Sequence, residues 1–253
     1  MTKLITFVGN GKMALALAKG LVETHPIEVI GRSDMALKRF EDALGSPIKK
    51  TLYSDADIMG KTLFLCVKPY NLPEITPYLK GRARVLYSVL AGTTLNSLQA
   101  IPAEHTVRAM PNLAAEVGMS MTSLVGDINV STEAIALFGA IGKTLWLSSE
   151  KELDIATSLA GSGPAYLALI AEALCDGAVR EGLKRDDAME LMRGLFGGFG
   201  SLIQTIHPAL LKDNVMSPGG TTAAGYGALE KSGVREGCME AIRLAHEKAK
   251  GMR

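Results

Sequence analysis

Leu4-Ile5-Thr6-Phe7-Val8-Gly9-Asn10-Gly11-Lys12-Met13-Ala14 decides the fold of this chain. The first five residues, apolar except for Thr6, read as a short buried strand. They run straight into Gly-x-Gly-x-x-Ala, and a helical apolar pattern follows over 13–23. In that order the parts make a dinucleotide cradle. Gly9 permits the tight turn, Gly11 lets a pyrophosphate approach the backbone, and Ala14 lets the helix close on the strand. The plainer alternative is a glycine-rich strand-to-helix turn without a ligand. Strand–turn–helix context favours the cradle and marks Val8, Gly9, Asn10, Gly11, Lys12 and Met13 as cofactor contacts.

Working outward, apolar runs at 27–30, 62–67, 84–89 and 106–110 also read as buried strands. A helical pattern at 35–44, capped by Ser33 or Asp34, lies between two of them. Alternating strand and helix predicts a parallel sheet covered on both faces. Past about Trp146 no strand reads. Ser149 and Glu152 form a capping-box pattern, Pro164 begins or kinks the next helix, and Gly182 suits its end. Asp186 or Asp187 is expected to cap a third helix, from Ala188 to about Gln204. Gly233 precedes a last helix running to the C-terminus. The expected fold is therefore α/β, with a Rossmann-type parallel-sheet domain over 1–148 and an all-helical domain over 149–253. Glycines such as Gly194, Gly197 and Gly198 suit close helix packing, within the chain or against a second subunit.

The 253 residues carry 27 Lys plus Arg against 26 Asp plus Glu, so no electrostatic footprint for nucleic acid appears. Cys66, Cys175 and Cys238 lack metal-ligand spacing and read as small core hydrophobes in a reducing compartment. The apolar N-terminus from Met1 stops at Gly9, too short for a signal peptide or membrane span. A cytoplasmic protein without a bound metal or membrane partner is expected.

Ligands of open α/β sheets bind at the carboxyl ends of the strands. The second strand ends at Ile30-Gly31-Arg32-Ser33, without the acid that commonly holds an NAD ribose. Arg32 and Ser33 instead suit a 2′-phosphate, although Asp34 counts against them, so NADPH is expected, with NADH as the alternative. The other strand ends are Cys66-Val67-Lys68-Pro69, Val89-Leu90-Ala91-Gly92 and Met110-Pro111-Asn112. Lys68 suits a ribose or phosphate, or plain solvation. Asn112 suits the nicotinamide carboxamide, or simply a turn after Pro111.

In the helical half, Asn214-Val215-Met216-Ser217-Pro218-Gly219-Gly220-Thr221-Thr222-Ala223-Ala224-Gly225 gathers hydroxyls, glycines and bare N–H groups ahead of a helical pattern. Such a stretch cradles an anion, or is a helix start capped by Ser or Thr. It has no charged residue from Met216 to Gly225. A nicotinamide site beside a helical domain argues for hydride transfer. Carbonyl reduction needs a placed acid, and the candidates His207, before Pro208 in a loop, and His246, in the last helix, read as surface residues. An iminium becomes a neutral amine, so a hydroxyl suffices.

Several motifs then fall in order. They are Gly9-Asn10-Gly11-Lys12-Met13-Ala14, Val67-Lys68-Pro69, Ala91-Gly92-Thr93-Thr94, and Val107-Arg108-Ala109-Met110-Pro111-Asn112. Gly161-Ser162-Gly163-Pro164-Ala165-Tyr166 and Ser217-Pro218-Gly219-Gly220-Thr221-Thr222 complete the set. Over essentially its full length the chain resembles the pyrroline-5-carboxylate reductases, which catalyse the last step of proline biosynthesis. The resemblance implies an NADPH-binding Rossmann domain and a helical domain forming an intertwined homodimer, often built into a larger ring such as a decamer. It implies a cyclic imino acid as substrate, its carboxylate held by backbone N–H groups around Ser217, Gly219, Gly220, Thr221 and Thr222. Thr222 would meet the ring nitrogen as the catalytic hydroxyl, in a site combining one subunit's nucleotide domain with helices of its dimer. Met216 stands where Thr or Ser is usual, Leu113 where Thr is common, and 118–121 is less glycine-rich. Glu150 and Glu172 match acids of the family and read as solvated or structural.

The hydroxyacid dehydrogenases also join a Rossmann domain to a helical one. Their pattern places Lys and then Asn at four-residue steps after a glycine motif, where this chain has Leu167 and Ala171. A binding protein without catalysis is the rival from another class, and the intact loop speaks against it.

Overall fold

The computed structural model describes residues 3–250. Met1 and Thr2, and the last three residues of the expected terminal helix, lie outside the described residues. The chain divides into two compact units, Met1–Ser162 with Ala245–Arg253, and Gly163–Leu244.

The first unit holds β1 (Ile5–Val8), α1 (Lys12–Leu21), β2 (Ile27–Gly31), α2 (Asp34–Leu44), β3 (Lys49–Leu52), β4 (Thr62–Leu65), α3 (Leu72–Ile75) and β5 (Ala83–Ser88). It continues through α4 (Leu95–Leu98), β6 (Ala103–Met110), β7 (Ser120–Gly126), α5 (Ser131–Gly139), β8 (Gly142–Trp146) and α6 (Glu150–Ala156). One eight-stranded sheet results, in the order β3-β2-β1-β4-β5-β6-β7-β8. Pairings from β3 through to β6 are parallel, β6 with β7 is antiparallel, and β7 with β8 is parallel. β1 lies between β2 and β4, with Val8 beside both Ile30 and Leu65. The strand order therefore reverses at β1, which puts a crevice at its carboxyl end.

Side chains alternate across the sheet as the two-residue strand period requires. Ile5, Phe7, Phe64 and Tyr87 join a core with Leu17, Leu37 and Phe138 from α1, α2 and α5. Val8, Leu63, Leu65 and Leu86 join a second core with Leu72, Ile75 and Leu98 from α3 and α4. The central strands match the apolar runs, while β4 stops at Leu65, two residues short of expectation. Three strands lacked a sequence signal. β3 is lysine-bearing and half exposed, β7 buries hydroxyls, and β8 alternates at an edge.

The helical unit comprises α7 (Gly163–Arg180), α8 (Arg185–Leu202), α9 (Pro208–Val215), α10 (Thr221–Lys231) and most of α11 (Val234–Lys250), whose last turns join the first unit. Lys184, not Asp186 or Asp187, is the N-cap of α8. The two aspartates sit in the first turn, where the helix dipole favours them without a capping bond. The capping box at α6 is also displaced. Ser149 Oγ accepts the Glu152 N–H at 3.2 Å, but Glu152 reaches back to the N–H of Ser148. In this unit Cys175 and Ala188 alone are fully buried, whereas Leu169, Leu191 and Leu195 stand open. Cys238 on α11 is exposed, so it is not the core hydrophobe its setting suggested. Among the described residues one helical run, Glu150–Arg180, is by length and composition apolar enough to cross a membrane.

Candidate active site

Gly9 leaves β1 with φ of 100° and donates its N–H to the Ile30 carbonyl at 2.9 Å. A Cβ there would lie 2.9 Å from the Cys66 carbonyl oxygen, so only glycine lets the turn pass under β4. Gly11 is the N-cap of α1, and a Cβ on it would meet nothing within 4 Å. That open space is what a close-lying pyrophosphate requires. The first turn of α1 contains no acid, and its N–H groups and dipole favour an anion. Ala14 is fully buried against the sheet, as the motif predicts.

Beside this turn is a cavity of about 450 Å³. Gly11, Lys12 and Met13 line it from α1, Cys66, Val67, Lys68 and Pro69 from the end of β4, and Ala91 from the end of β5. Burial pushes the Cys66 thiol up, so it lines the cavity as a neutral group. Val8 ends β1, Gly9 and Asn10 make the turn before α1, and Gly92, with φ of 70°, follows Ala91; none of these four lines the cavity. Leu113, Ala115 and Glu116 close the far side and were not foreseen. They belong to a short helical turn, Leu113–Val117, that sequence periodicity does not reveal.

At the tip of β2, Ser33 caps α2 by accepting the Ala36 N–H at 3.4 Å. Arg32 reaches across to α3, its Nη2 lying 3.2 Å from Glu74 Oε2. The open first turn, the steric need for Gly9 and this basic tip fit a phosphorylated dinucleotide.

On the other flank of the cavity the ends of β5 and β6 are tied down. Arg108, only 2% exposed, donates to Glu150 Oε1 at 2.6 Å and pairs with Asp154 at 3.5 Å. The same Glu150 oxygen accepts the Leu95 N–H at 2.9 Å, fixing the end of the 91–94 loop. Asn112 accepts the Ala114 N–H through its side-chain oxygen and donates through Nδ2 to the Ala160 carbonyl at 3.0 Å. Ala160 belongs to a π-helical turn, Thr157–Gly161. The structure thus uses the Asn112 amide for local architecture, the alternative the sequence left open. Glu150 is structural, and Glu172 is exposed on α7.

In the helical unit, Ser217 accepts the Gly220 N–H at 3.0 Å through its carbonyl, with Gly219 at φ of 70°. Pro at the second place and a positive-φ glycine at the third are the signature of a type II turn. The N-cap of α10 is Gly220, with no side-chain cap, so a Ser or Thr cap is ruled out. Thr221 and Thr222 open the helix, and its first turn carries no acid. A Cβ on Gly220 would sit 2.4 Å from Ser217 Oγ, which places that hydroxyl beside the helix start. His207 lies not in a loop but at the N-cap of α9, where its Nδ1 accepts the Ala209 N–H. That bond occupies Nδ1 as the cap acceptor of α9. His246 is half-buried, not a surface residue.

Comparison with known proteins agrees with this geometry. Residues 150–252 match the family model described as pyrroline-5-carboxylate reductase dimerisation. Residues 4–92 match one described as NADP oxidoreductase, coenzyme F420-dependent. The pyrroline-5-carboxylate reductase of Helicobacter pylori is 32% identical over 99% of both chains. That of Synechocystis is 36% identical over 96% of this chain and 95% of its own. Among solved structures, 1-pyrroline-5-carboxylate reductase of Streptococcus pyogenes superposes with a TM-score of 0.86 at 30% identity, over 99% of each chain. Pyrroline carboxylate reductase of Plasmodium falciparum with NADP bound gives 0.79 at 29%, over 99% of this chain and 98% of that one. A nucleotide cradle, an acid-free helix start and full-length relatives lead to one conclusion: the chain belongs to the pyrroline-5-carboxylate reductase family.

Proposed function

We propose that the protein reduces 1-pyrroline-5-carboxylate to L-proline with NADPH, in the cytoplasm. The acid-free start of α10 carries this reading. Turn N–H groups and the helix dipole suit a carboxylate, and the absence of a strong acid suits an iminium. NADPH, when bound, would supply a hydride; on a substrate whose ring nitrogen already carries its proton as an iminium, addition at carbon would leave a neutral secondary amine and call for no further acid.

The chain's own residues bind, orient and hydrogen-bond. Val8, Gly9, Asn10, Gly11, Lys12 and Met13 cradle the pyrophosphate, and Arg32 and Ser33 take the 2′-phosphate. Cys66, Val67, Lys68 and Pro69 border the nucleotide, with Ala91 and Gly92 toward the nicotinamide. Backbone amides from Ser217, Gly219, Gly220 and Thr221 hold the substrate carboxylate. The Thr222 hydroxyl is the hydrogen-bond partner of the ring nitrogen.

Residues 149–253 serve as the dimerisation and substrate domain behind a nucleotide domain of 1–148. The open leucines of α7 and α8 support an interface between copies, a homodimer that further assembles into a ring such as a decamer. Apolarity in the Glu150–Arg180 run belongs on this reading to that interface and not to a membrane span.

The test is NADPH oxidation with five- and six-membered cyclic imino acids side by side. Turnover of the five-membered imine is expected, and turnover of neither would overturn the reading. A single methylene in a pocket is worth about 1–3 kcal/mol, so some six-membered turnover is compatible.

A further inference from the structure

NAD-preferring folds of this kind carry an acid at the end of the second strand, where it accepts a hydrogen bond from the ribose. Here β2 ends in Gly31 and Arg32, and an acid arrives from another element. Glu74 sits on α3, which follows β4, and its Oε2 lies 3.2 Å from Arg32 Nη2. Because β1 lies between β2 and β4, this ion pair joins the two flanks of the Gly9–Gly11 turn. Tyr53, from the segment after β3, faces Tyr78 with ring centroids 6.1 Å apart. Burial raises its phenol pKa, Arg32 pulls it down and Glu74 pushes it up, so both charges act on the Tyr53 ring.

The two side chains are 58% and 59% exposed. Such an exposed pair is weak and is broken easily. A phosphate offers a guanidinium stronger, two-pronged hydrogen bonding than one exposed carboxylate does. The carboxylate nevertheless stands against any dianion placed on Arg32. It also offers a ribose hydroxyl a carboxylate acceptor, which the last residues of β2 lack and which otherwise only Asp34, at the start of α2, supplies nearby in sequence.

We propose that Glu74 is a specificity-determining residue for the cofactor: it holds Arg32 when no 2′-phosphate is present, disfavours NADPH, and supports NADH. This rests on the assignment of Arg32 to the 2′-phosphate. Glu74 thereby makes the site tolerant of both cofactors, and Arg32 alone would make it strict.

The experiment measures equilibrium Kd values for NADPH and NADH on the full-length assembled protein, without imine, by nucleotide fluorescence or calorimetry. In Glu74→Gln the ratio of Kd for NADH to Kd for NADPH is expected to rise about five- to twenty-fold, from tighter NADPH and weaker NADH. A ratio within about two-fold of wild type, or lower, overturns the proposal. Equal weakening of both cofactors counts as such a result and would mean that the pair only braces α3. Arg32→Ala tests the underlying assignment separately: it should bring the ratio close to one. An unchanged ratio in Arg32→Ala would remove Arg32 from the phosphate site, whatever Glu74→Gln does.

Discussion

Arg108 and Glu150 meet at 2.6 Å, one buried in β6 and the other opening α6. The pair joins the end of the sheet to the first helix after it, and Glu150 extends the tie to the Leu95 N–H. Stranding one charge of a buried ion pair costs about 3–5 kcal/mol, and with Asp154 at 3.5 Å still pairing Arg108 the loss here falls at the lower end. Glu150→Ala is therefore expected to lower stability by about 3 kcal/mol in denaturant titration. Glu150→Gln, which keeps an acceptor for Leu95, should recover part of the loss. Equal stability of Glu150→Ala and wild type would show that Asp154 alone satisfies Arg108.

Thr222 is the second residue of α10, and its hydroxyl is the proposed partner of the ring nitrogen. Thr222→Ala should lower kcat about ten- to a hundred-fold, the size of modest hydrogen-bond or acid assistance. NADPH Kd should not move. Single-turnover rates separate this from slow product release, and an unchanged rate would take Thr222 out of the chemistry.

Gly220 has ordinary φ and ψ of −76° and 168°, which alanine also adopts. A methyl group there would nevertheless collide with Ser217 Oγ, 2.4 Å away. Gly220→Ala should therefore keep the fold and turn the Ser217 hydroxyl aside. The KM for the imino acid is expected to rise about ten-fold, as for a weakened bond to a charged group. Steady-state kinetics with varied imine provides the check, and an unaltered KM would mean that the turn does not bind substrate.

Glu28 is buried in β2 with Lys61 at 2.6 Å, Lys49 at 2.9 Å, Thr6 at 2.8 Å and Thr51 at 2.9 Å. Burial alone would raise its pKa, but bonds from Lys61, Lys49 and the two threonines outweigh it and hold the carboxyl at about 2. A depressed folded-state pKa adds stability above the unfolded value of 4.5, lost as pH falls toward 2. Stability of the wild type should thus decline over this window, while Glu28→Gln should decline less steeply and start lower at neutral pH. Parallel curves for the two proteins would contradict the assignment.

What could be read from the sequence was what the backbone dictates locally. Val8-Gly9-Asn10-Gly11 announced its turn because φ of 100° at Gly9 and the close Cys66 carbonyl admit only glycine. Central strands showed as apolar runs because both faces are covered. β3 stayed hidden because its lysines serve distant acids, Lys49 with Glu28 and Lys50 with Glu41. α9 was missed because His207-Pro208 resembles a loop and is in fact a cap followed by a first-turn proline. The site divides the same way. Glycine turns were legible, but Arg32 with Glu74 and Arg108 with Glu150, each pair 42 residues apart, exist only once the sheet has formed.

The helical unit, with Cys175 and Ala188 as its fully buried residues, has one more consequence. A set of helices that encloses so little of itself draws its stability from whatever covers it, so its persistence obeys mass action. In the proposed homodimer dilution would act as a denaturant does, and the melting temperature would depend on the concentration in the tube as well as on the chain.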